Sequence, residues 1–214
     1  MNNFIGFDKY KLSGAYHWNS IENNEEYIAQ SSVIINEAIN TNPKTILDIG
    51  CGDAAISGKL ALLLPNSKVY GFDAEDSAIY CARSKIQELN ITNIELNISL
   101  INSAKELYKD KTFEMVFSLD VIEHLPEPKE LIDLFKYFQK DNTFFLLGTP
   151  LFIDKNFISP YHVIEYSKDE IKTMVGKHNI IQEWVLPGKR KHNTTKQKHF
   201  YEESYYMCKL FFKD

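Results

Sequence analysis

The sequence predicts an α/β fold in which a mostly parallel sheet is covered by helices on both faces. Two observations lead to this prediction: short apolar runs alternate with helix-length segments from Thr45 onward, and the first run ends in a glycine-rich turn. Strands joined by connections of helix length form right-handed crossovers, which make neighbouring strands parallel. Runs that are apolar at nearly every position, rather than at alternate positions, are typical of strands buried on both faces.

The chain divides into an N-terminal segment, residues 1–43, and one domain, residues 44–214. Residues 1–20 are aromatic and polar without a clear period, so we expect an irregular lead-in. Apolar residues then recur about every 3.6 positions over residues 21–40, which predicts a helix that ends at Asn42 and Pro43.

Tyr10, Tyr16, His17 and Trp18 make an aromatic cluster in the lead-in. We expect them to form either a lid that excludes water from a ligand or an ordinary edge of the core.

Five strands and four helices should follow in alternation. The strands are expected near residues 45–49, 68–72, 93–98, 113–119 and 142–148, and the helices near residues 54–64, 76–89, 103–108 and 129–140. Beyond Pro150 the pattern changes. Ser167 and Glu170 form a capping box, which predicts a helix to about Lys177.

Two further strand-like runs, residues 180–185 and 205–212, complete the chain. We expect them to pair antiparallel, joined by a polar, basic connection that contains Pro187 and Gly188.

The composition excludes several classes of protein. The chain has 214 residues, a formal net charge of −5 and three cysteines without C-x-x-C spacing. A disulfide framework, a zinc cluster and broad nucleic-acid affinity are therefore not expected. No apolar run reaches the length of about 18 residues that a membrane span needs. The first residues also lack the pattern of a targeting signal, so we expect a cytoplasmic protein, monomeric or homodimeric, without membrane contact.

The turn that follows the first strand indicates a nucleoside cofactor. Gly50 and Gly52 let the backbone approach a ligand closely, and the N–H groups of the following helix point at the same place. Asp73 ends the second strand, where a carboxylate can accept hydrogen bonds from ribose hydroxyls.

Two cofactor classes fit this turn. The spacing G-x-G-x-x-A, which begins at Gly50, is compatible with the fingerprint of dinucleotide-binding turns. A dinucleotide cofactor would indicate a nicotinamide-dependent oxidoreductase. However, Asp48 would repel the two phosphates of a dinucleotide, whereas it would attract a cofactor that carries an ammonium and a sulfonium.

These segments resemble the class I S-adenosylmethionine-dependent methyltransferases. Asp48, Gly50 and Gly52 match the family's first motif, hh[D/E]hGxGxG, while Ala54 replaces its third glycine. Residues 113–125 and 143–150 resemble the family's fourth and fifth strands. The resemblance implies a Rossmann-like, doubly wound, mostly parallel seven-stranded sheet with an antiparallel terminal strand. It also implies S-adenosylmethionine as the methyl donor and S-adenosylhomocysteine as the product.

Nine residues are expected to contact the cofactor: Asp48, Gly50, Gly52, Asp53, Asp73, Ala74, Asn102, Ser103 and Asp120. Asn102 and Ser103 lie where the family contacts adenine, although either could instead simply start a helix.

The acceptor side should follow the fourth strand. His124, His162 and His17 are candidates for a base, because a histidine can take up a proton near neutral pH. Five residues are candidates for substrate contacts: Tyr16, Glu123, Glu165, Lys189 and Arg190. For His162 and Glu165, which belong to an H-x-x-E segment, pinning of the local loop is the favoured alternative.

The Glu123-His124 pair also resembles the metal-binding segment of small-RNA 3′-end 2′-O-methyltransferases. No histidine follows three or four residues later, so we expect no metal.

We therefore expect a methyltransferase that acts on an oxygen or nitrogen of a small, anionic metabolite, phosphorylated or nucleotide-linked, or of a glycan precursor. The basic segment from Lys189 to His199 would attract such a substrate, unless it is only a solvated loop. An RNA 2′-O-methyltransferase and a non-catalytic cofactor-binding module are the alternatives.

Overall fold

The computed structural model describes residues 9–212, which form one seven-stranded sheet with helices on both faces. The strands are β1 (Thr45–Ile49), β2 (Lys68–Asp73), β3 (Ile94–Ile98), β4 (Met115–Leu119), β5 (Phe144–Pro150), β6 (Ile180–Lys191) and β7 (Lys198–Leu210). The helices are α1 (Lys9–Ser13), α2 (His17–Asn23), α3 (Glu25–Thr41), α4 (Ala55–Leu63), α5 (Asp76–Glu88), α6 (Ala104–Leu107), α7 (Lys129–Phe138) and α8 (Lys168–Val175).

The strand order is β3-β2-β1-β4-β5-β7-β6. Strands β1 to β5 are parallel, and β7 runs antiparallel to both β5 and β6. The predicted fold class is thereby confirmed. Because β2, β1, β4 and β5 are neighbours in this order, their carboxyl ends meet along one edge of the sheet, where ligands bind in folds of this kind.

The core lies on both faces of the sheet, which explains the continuous apolar runs. Leu47 and Ile49 of β1 pack on one face with Phe135 of α7, whereas Ile46 packs on the other face with Ile34 and Leu60. Successive side chains of a strand point to opposite faces. A central strand covered on both sides therefore needs apolar residues at both sets of positions.

The prediction of an irregular lead-in is wrong for the described part of residues 1–20, since α1 and α2 lie there; residues 1–8 are outside the described range. Contacts with the domain hold α2 in place, because the backbone N–H of His17 and the indole N–H of Trp18 both donate to Asp53. The periodicity of apolar residues does not reveal short helices that depend on contacts with distant residues. The following helix, α3, begins after Asn24, whose side chain caps it.

The expected connection between the last two strands is also corrected. Pro187 and Gly188 lie inside β6, and the hairpin extends to Lys191 and Lys198. The register shifts between Leu186 and Gly188, so the strand pairing continues past a proline that has no N–H to donate. The segment expected to be a basic loop is therefore mostly paired strand.

Two smaller elements complete the comparison with the sequence. The predicted capping box is confirmed, since the hydroxyl of Ser167 accepts from the Glu170 N–H and the Glu170 carboxylate accepts from the Ser167 N–H. The third crossover is shorter than expected: a 3-10 turn over Ile101–Ser103 precedes the four-residue helix α6. Among residues 9–212, no helix is long and apolar enough to cross a membrane.

Candidate active site

The glycine-rich turn is packed between β2 and the segment that follows β4. Gly50 and Gly52 have positive φ angles of 75° and 54°, which side chains disfavour. The N–H groups of Gly50 and Cys51 both donate to the carbonyl of Phe72, at 2.9 and 3.0 Å. A Cβ on Gly50 would lie 2.2 Å from Cγ2 of Val121, so this position has no room for a side chain.

Ala54, which replaces the family's third glycine, has a φ of 56° and is fully buried at the start of α4. A left-handed backbone costs a residue with a side chain about 1–2 kcal/mol. The chain thus keeps the backbone conformation that a glycine would allow and bears the associated strain.

Two carboxylates flank the turn. Asp48 is buried and accepts a hydrogen bond of 2.5 Å from the hydroxyl of Ser57, and burial raises its pKa to about 7. Asp73 accepts from the N–H groups of Gly52 and Glu75, both at 2.8 Å, and burial raises its pKa as well. A cationic ligand beside Asp48 would offset the cost of burying its charge.

An apolar surface adjoins Asp73. Ile98 pairs with Asp73 in the β2–β3 register and is 44% exposed, and Leu100 is 58% exposed. Asn102 and Ser103 follow in an exposed 3-10 turn, and the hydroxyl of Ser103 donates to Asn102 at 3.2 Å without capping α6.

These features fit S-adenosylmethionine. A carboxylate at Asp48 suits an ammonium, one at Asp73 suits the ribose hydroxyls, and the exposed apolar side chains beside it suit a purine face. Ala74, which is exposed beside Asp73, lies at the same edge.

Asp53 contacts the lead-in helices. Its Oδ2 accepts from the backbone N–H of His17 at 2.9 Å, and its Oδ1 lies 3.3 Å from the Nδ1 of His17. The indole N–H of Trp18 donates to the Asp53 carbonyl at 3.0 Å. Asp53 therefore ties α2 to the turn, a contact that the sequence did not indicate.

The aromatic residues of the lead-in lie over the turn. The hydroxyl of Tyr10 would be 2.5 Å from a Cβ placed on Gly52, and the ring of Tyr16 stacks obliquely on that of His17 at 4.0 Å. Tyr10 and His17 thus adjoin the turn, whereas Trp18 packs on Gly58 of α4, and the lid stays a prediction.

Asp120, which was expected among the cofactor contacts, lies directly after the carboxyl end of β4. It has a φ of 53°, unusual for a residue other than glycine, and its N–H donates to the carbonyl of Gly148 at 3.1 Å. Burial raises its pKa, while the hydroxyl of Tyr205 and, to a smaller extent, the nearby His162, His17 and Arg190 oppose this increase. Strained residues of this kind tend to occur at functional sites.

Glu123 is fully buried three residues further on. Its Oε2 accepts from the hydroxyl of Thr149 at 3.0 Å, and within the described chain its Oε1 has no hydrogen-bond partner. Burial raises its pKa well above the usual range. Its backbone carbonyl accepts from the N–H groups of Val163 and Ile164, at 2.8 and 3.2 Å, so Glu123 also holds the loop that follows β5.

His124 and His162 meet at this loop, with ring centroids 4.9 Å apart and planes nearly perpendicular. The Nδ1 of His124 lies 2.9 Å from the carbonyl of Tyr161, and burial lowers the pKa of His124 to about 4.

One ligand atom from each of Glu123, His124 and His162 lies within 4.8 Å of the others, so these three residues could hold a divalent cation. We expected no metal because no second histidine lies near Glu123 and His124 in the sequence. The fold supplies one from the loop after β5, so that reason does not hold, and the absence of a metal stays a prediction.

His162, Glu165 and Arg190 form a chain of contacts in which the Glu165 side chain is fully buried and the other two are partly exposed. The Nδ1 of His162 lies 2.7 Å from Oε1 of Glu165, and the guanidinium of Arg190 contacts Oε2 at 2.5 Å. The expected exposed basic patch is corrected for Arg190, because β6 turns this side chain inward. Lys189 keeps an exposed side chain, and its N–H donates to Glu26 at 2.6 Å.

Two tyrosines of the site were missed in the sequence analysis. Tyr27 of α3 has its ring 5.4 Å from that of His17, and Tyr205 of β7 is buried against Gly148. Neither belongs to a sequence motif, and only the packing of α3 and β7 around the site brings them there.

Comparison with known proteins places the chain among methyltransferases. A family model described as "Methyltransferase domain" matches residues 40–204. The mitochondrial ubiquinone biosynthesis O-methyltransferase of Dictyostelium discoideum is 34% identical over 149 residues, which cover 63% of this chain and 45% of the relative. This chain therefore spans less than half the length of that relative.

A second relative covers more of both proteins. The ribosomal RNA small subunit methyltransferase G of Actinobacillus pleuropneumoniae serotype 3 is 24% identical, with 79% of this chain and 84% of the relative covered. Among solved structures, coclaurine N-methyltransferase bound to N-methylheliamine and SAH shares the fold, with a TM-score of 0.63 and 16% identity over 76% of this chain and 52% of the other.

Proposed function

Since the chain belongs to the class I S-adenosylmethionine-dependent methyltransferase family, we propose that it transfers the methyl group of this cofactor to an oxygen or nitrogen of a small metabolite. The observation that carries the proposal is the adjacency of two sites. β1 and β4 are neighbouring strands, so the turn after Ile49 and the cluster that begins at Asp120 lie side by side. Val121 even fills the space beside Gly50.

Methyl transfer requires alignment more than reactive side chains. The bound cofactor supplies an electrophilic methyl group on a positively charged sulfur. In this chain Asp48 would bind the ammonium and Asp73 the ribose, while Gly50 and Gly52 allow the backbone to approach. Holding both reactants in line accounts for much of the acceleration that such a site can provide.

Within the N-terminal segment, the helices α1 and α2 would act as a lid. α1 and α2 cover the turn with Tyr10 and Tyr16, and Asp53 fastens α2 to the domain. Excluding water in this way strengthens the electrostatic contacts inside the site.

We place the acceptor beside Asp120 and the nearby histidines. Imidazoles can accept the proton that a hydroxyl loses on methylation, and the Dictyostelium relative is named as an O-methyltransferase. The exposed lysines of the hairpin, Lys189, Lys191, Lys196 and Lys198, favour an anionic acceptor, such as a phosphorylated or nucleotide-linked metabolite or a glycan precursor.

An RNA acceptor is the second candidate. The name of the Actinobacillus relative and the basic hairpin favour it, whereas the net charge of −5 opposes it. RNA binding driven by phosphate contacts would weaken steeply as the salt concentration rises.

The test has two stages. Calorimetry with S-adenosylhomocysteine should show binding, and its absence would remove the cofactor assignment. The protein is then incubated with methyl-labelled S-adenosylmethionine and either a fractionated metabolite extract or total RNA. Label in an anionic small-molecule fraction supports the proposal. Label confined to RNA would favour the second candidate, and binding without transfer to either would indicate a non-catalytic module.

A further inference from the structure

We propose that Glu123, His124 and His162 bind one divalent transition-metal ion, such as Zn²⁺, Mn²⁺ or Co²⁺, beside the carboxyl ends of β4 and β5. The sequence led us to expect no metal, but the reason for that expectation does not hold in the fold. The binding of the ion does not depend on which reaction the protein catalyses. The role that we give the ion, which is to hold the acceptor hydroxyl, rests on the methyltransferase function proposed above.

The three side chains converge from two separate segments of the chain. One ligand atom of each lies within 4.8 Å of the other two. In a tetrahedral site with metal–ligand distances of about 2.0–2.2 Å, neighbouring ligand atoms are about 3.3–3.6 Å apart. A small inward movement of these side chains would therefore close the site around an ion.

Both histidine rings have the partners that metal ligands usually have. The Nδ1 of His162 lies 2.7 Å from the carboxylate of Glu165, and the Nδ1 of His124 lies 2.9 Å from the carbonyl of Tyr161. Both partners accept hydrogen bonds, so each Nδ1 donates and the lone pair of each neutral ring is on Nε2. Histidines that bind a metal through one nitrogen almost always donate the other N–H to a carboxylate, a backbone carbonyl or water. The same pattern at both rings favours a metal over unrelated loop contacts.

Glu123 supplies a buried carboxylate that protein groups satisfy only in part. Its side chain is fully buried, and its Oε2 accepts from the hydroxyl of Thr149 at 3.0 Å. Its Oε1 has no hydrogen-bond partner among residues 9–212. A buried polar atom of this kind needs an explanation, and a bound ion provides one. A cation beside the carboxylate would also offset the cost of burying its charge.

Negative charge is concentrated around the three ligands. Asp120 and Glu165 both act electrostatically on Glu123. Arg190 contacts Glu165, and Lys9 of α1 interacts electrostatically with Asp120. The carboxyl groups of these residues outnumber their cationic groups, and this balance favours a bound cation.

The fold holds the two ligand-bearing segments together. The backbone carbonyl of Glu123 accepts from the N–H groups of Val163 and Ile164, at 2.8 and 3.2 Å. His162 directly precedes these two residues, so main-chain hydrogen bonds fix its position relative to Glu123. Ligands that are held in this way lose little freedom when an ion binds, which favours affinity.

The donor set indicates which ions suit the site. Two imidazole nitrogens and one carboxylate oxygen match Zn²⁺ and similar transition-metal ions, whereas Mg²⁺ and Ca²⁺ prefer oxygen donors. Three protein ligands leave at least one coordination position open. His124 and His162 are only partly buried, so a further ligand can reach the ion. Val121, two residues before Glu123, packs against Gly50, which places the ion near the cofactor turn.

The open position suits the hydroxyl of the acceptor. A divalent ion lowers the pKa of an oxygen that it binds, so the hydroxyl loses its proton to water more readily. The oxygen then forms a bond to the methyl carbon, while the carbon–sulfur bond breaks and its electron pair goes to sulfur. In this arrangement His124 and His162 act through the ion and not as bases.

The first experiment measures metal binding directly. The full chain is freed of metal by dialysis against a chelator and is titrated with Co²⁺, whose visible absorption changes when protein ligands bind it. We expect one Co²⁺ per chain, which Zn²⁺ displaces and Mg²⁺ does not. The absence of a Co²⁺ site, or displacement by Mg²⁺ as readily as by Zn²⁺, would overturn the proposed site.

Variants locate the ion. His162→Gln should weaken Co²⁺ binding by more than about 100-fold, and Glu165→Gln by about 10- to 100-fold, the usual effect of losing a partner that orients a ligand. His199→Gln is the matched control, because His199 and His192 form a histidine pair on the hairpin, with ring centroids 6.4 Å apart, where an adventitious ion would bind. The control should leave the affinity unchanged.

Far-UV circular dichroism checks that each variant is folded. If Glu165→Gln does not fold, His124→Gln replaces it, and the same loss is expected as for His162→Gln. Co²⁺ binding that persists in His162→Gln, or that disappears in His199→Gln, would overturn the assignment of the three ligands.

The second experiment tests the role of the ion by measuring kcat with the fraction of the metabolite extract that accepts label. Removal of the metal should lower kcat by at least about tenfold, and Zn²⁺ or Mn²⁺ should restore it in the unmodified chain and in His199→Gln but not in His162→Gln. An unchanged kcat in the metal-free chain would overturn the role of the ion. Co²⁺ binding that depends on His162, without methyl transfer to any acceptor, would support the metal site and refute the proposed function.

Discussion

The indole ring of Trp18 lies directly over Gly58, so that a Cβ on Gly58 would be 2.3 Å from Cη2 of Trp18. Gly58 belongs to α4, where alanine would ordinarily stabilise the helix by about 0.5–1 kcal/mol. We expect Gly58→Ala instead to lower the free energy of unfolding by about 1–3 kcal/mol, because the rigid ring must move. Urea unfolding, followed by tryptophan fluorescence, measures the change.

A double-mutant cycle separates the two effects of Gly58→Ala. In a Trp18→Ala background the clash is absent, so Gly58→Ala should become neutral or stabilising. A destabilisation that persists in this background would show that the lid does not pack on α4 as described.

Replacing Gly50 with alanine should lower the stability of the fold. Gly50→Ala combines a positive φ with a contact of 2.2 Å to Val121. Gly14→Ala is the matched control, since Gly14 has a φ of 62° and no atom of residues 9–212 would lie within 4 Å of a new Cβ. We expect the control to lose about 1 kcal/mol of stability from backbone strain and Gly50→Ala to lose about 1–3 kcal/mol more. Equal losses in denaturant titrations would contradict the packing at Gly50.

Asp73→Ala should weaken the binding of S-adenosylhomocysteine by about 1–3 kcal/mol, because buried hydroxyls would lose their acceptor. The same change frees the N–H groups of Gly52 and Glu75, so stability must be measured in parallel. Asp76→Asn, at an exposed acid of the same segment, provides the control for charge. Calorimetric affinities that match in the two variants would show that the ribose is held elsewhere.

Asp48 should make stability depend on pH. Its pKa in the folded chain is about 7, above the usual value of 3.8, so the folded state favours the protonated form. The contribution of this preference to the free energy of unfolding is complete below about pH 4 and is lost as the pH rises to 7. Asp48→Asn, which stays neutral, should therefore exceed the unmodified chain in stability at about pH 8 by roughly 1–4 kcal/mol. At about pH 4 most of this difference should be gone, as denaturant unfolding at both pH values can check.

Cofactor binding should in turn release a proton from Asp48. An ammonium placed beside the carboxylate favours its charged form and lowers its pKa. At about pH 6.5, binding of S-adenosylhomocysteine should therefore release a fraction of a proton, which calorimetry in buffers of different ionisation enthalpy detects. The release should vanish in Asp48→Asn. Proton release that is unchanged in this variant would assign the effect to another group.

The parallel sheet could be predicted because its signal is local. β1 and β2 are short apolar runs, each ended by a turn residue or an acid, and burial on both faces leaves few other ways to place them. The candidate cofactor site could be predicted from the same apolar runs. Asp48 and Asp73 lie near the carboxyl ends of β1 and β2, which the fold places side by side.

The acceptor side could not be predicted in the same way, because it depends on contacts distant in sequence. His124 and His162 lie 38 positions apart in the sequence (162 − 124), and no spacing rule joins them. In the sequence, Arg190 is one of several basic residues in a row. Only the pairing of β6 with β7 shows that its side chain points inward. The helices α1 and α2 were missed for a related reason, since Asp53 and Gly58 stabilise them from outside.

The irregular strand β6 also bears on how copies of this chain can meet. It lies at the edge of the sheet, carries two register irregularities and contains Pro187, which has no N–H. Such an edge is a poor template for another strand, because the regular row of hydrogen-bonding groups is interrupted. The β6 edge of one molecule is therefore disfavoured as a pairing site for a strand of another molecule. This protects the chain against edge-to-edge aggregation.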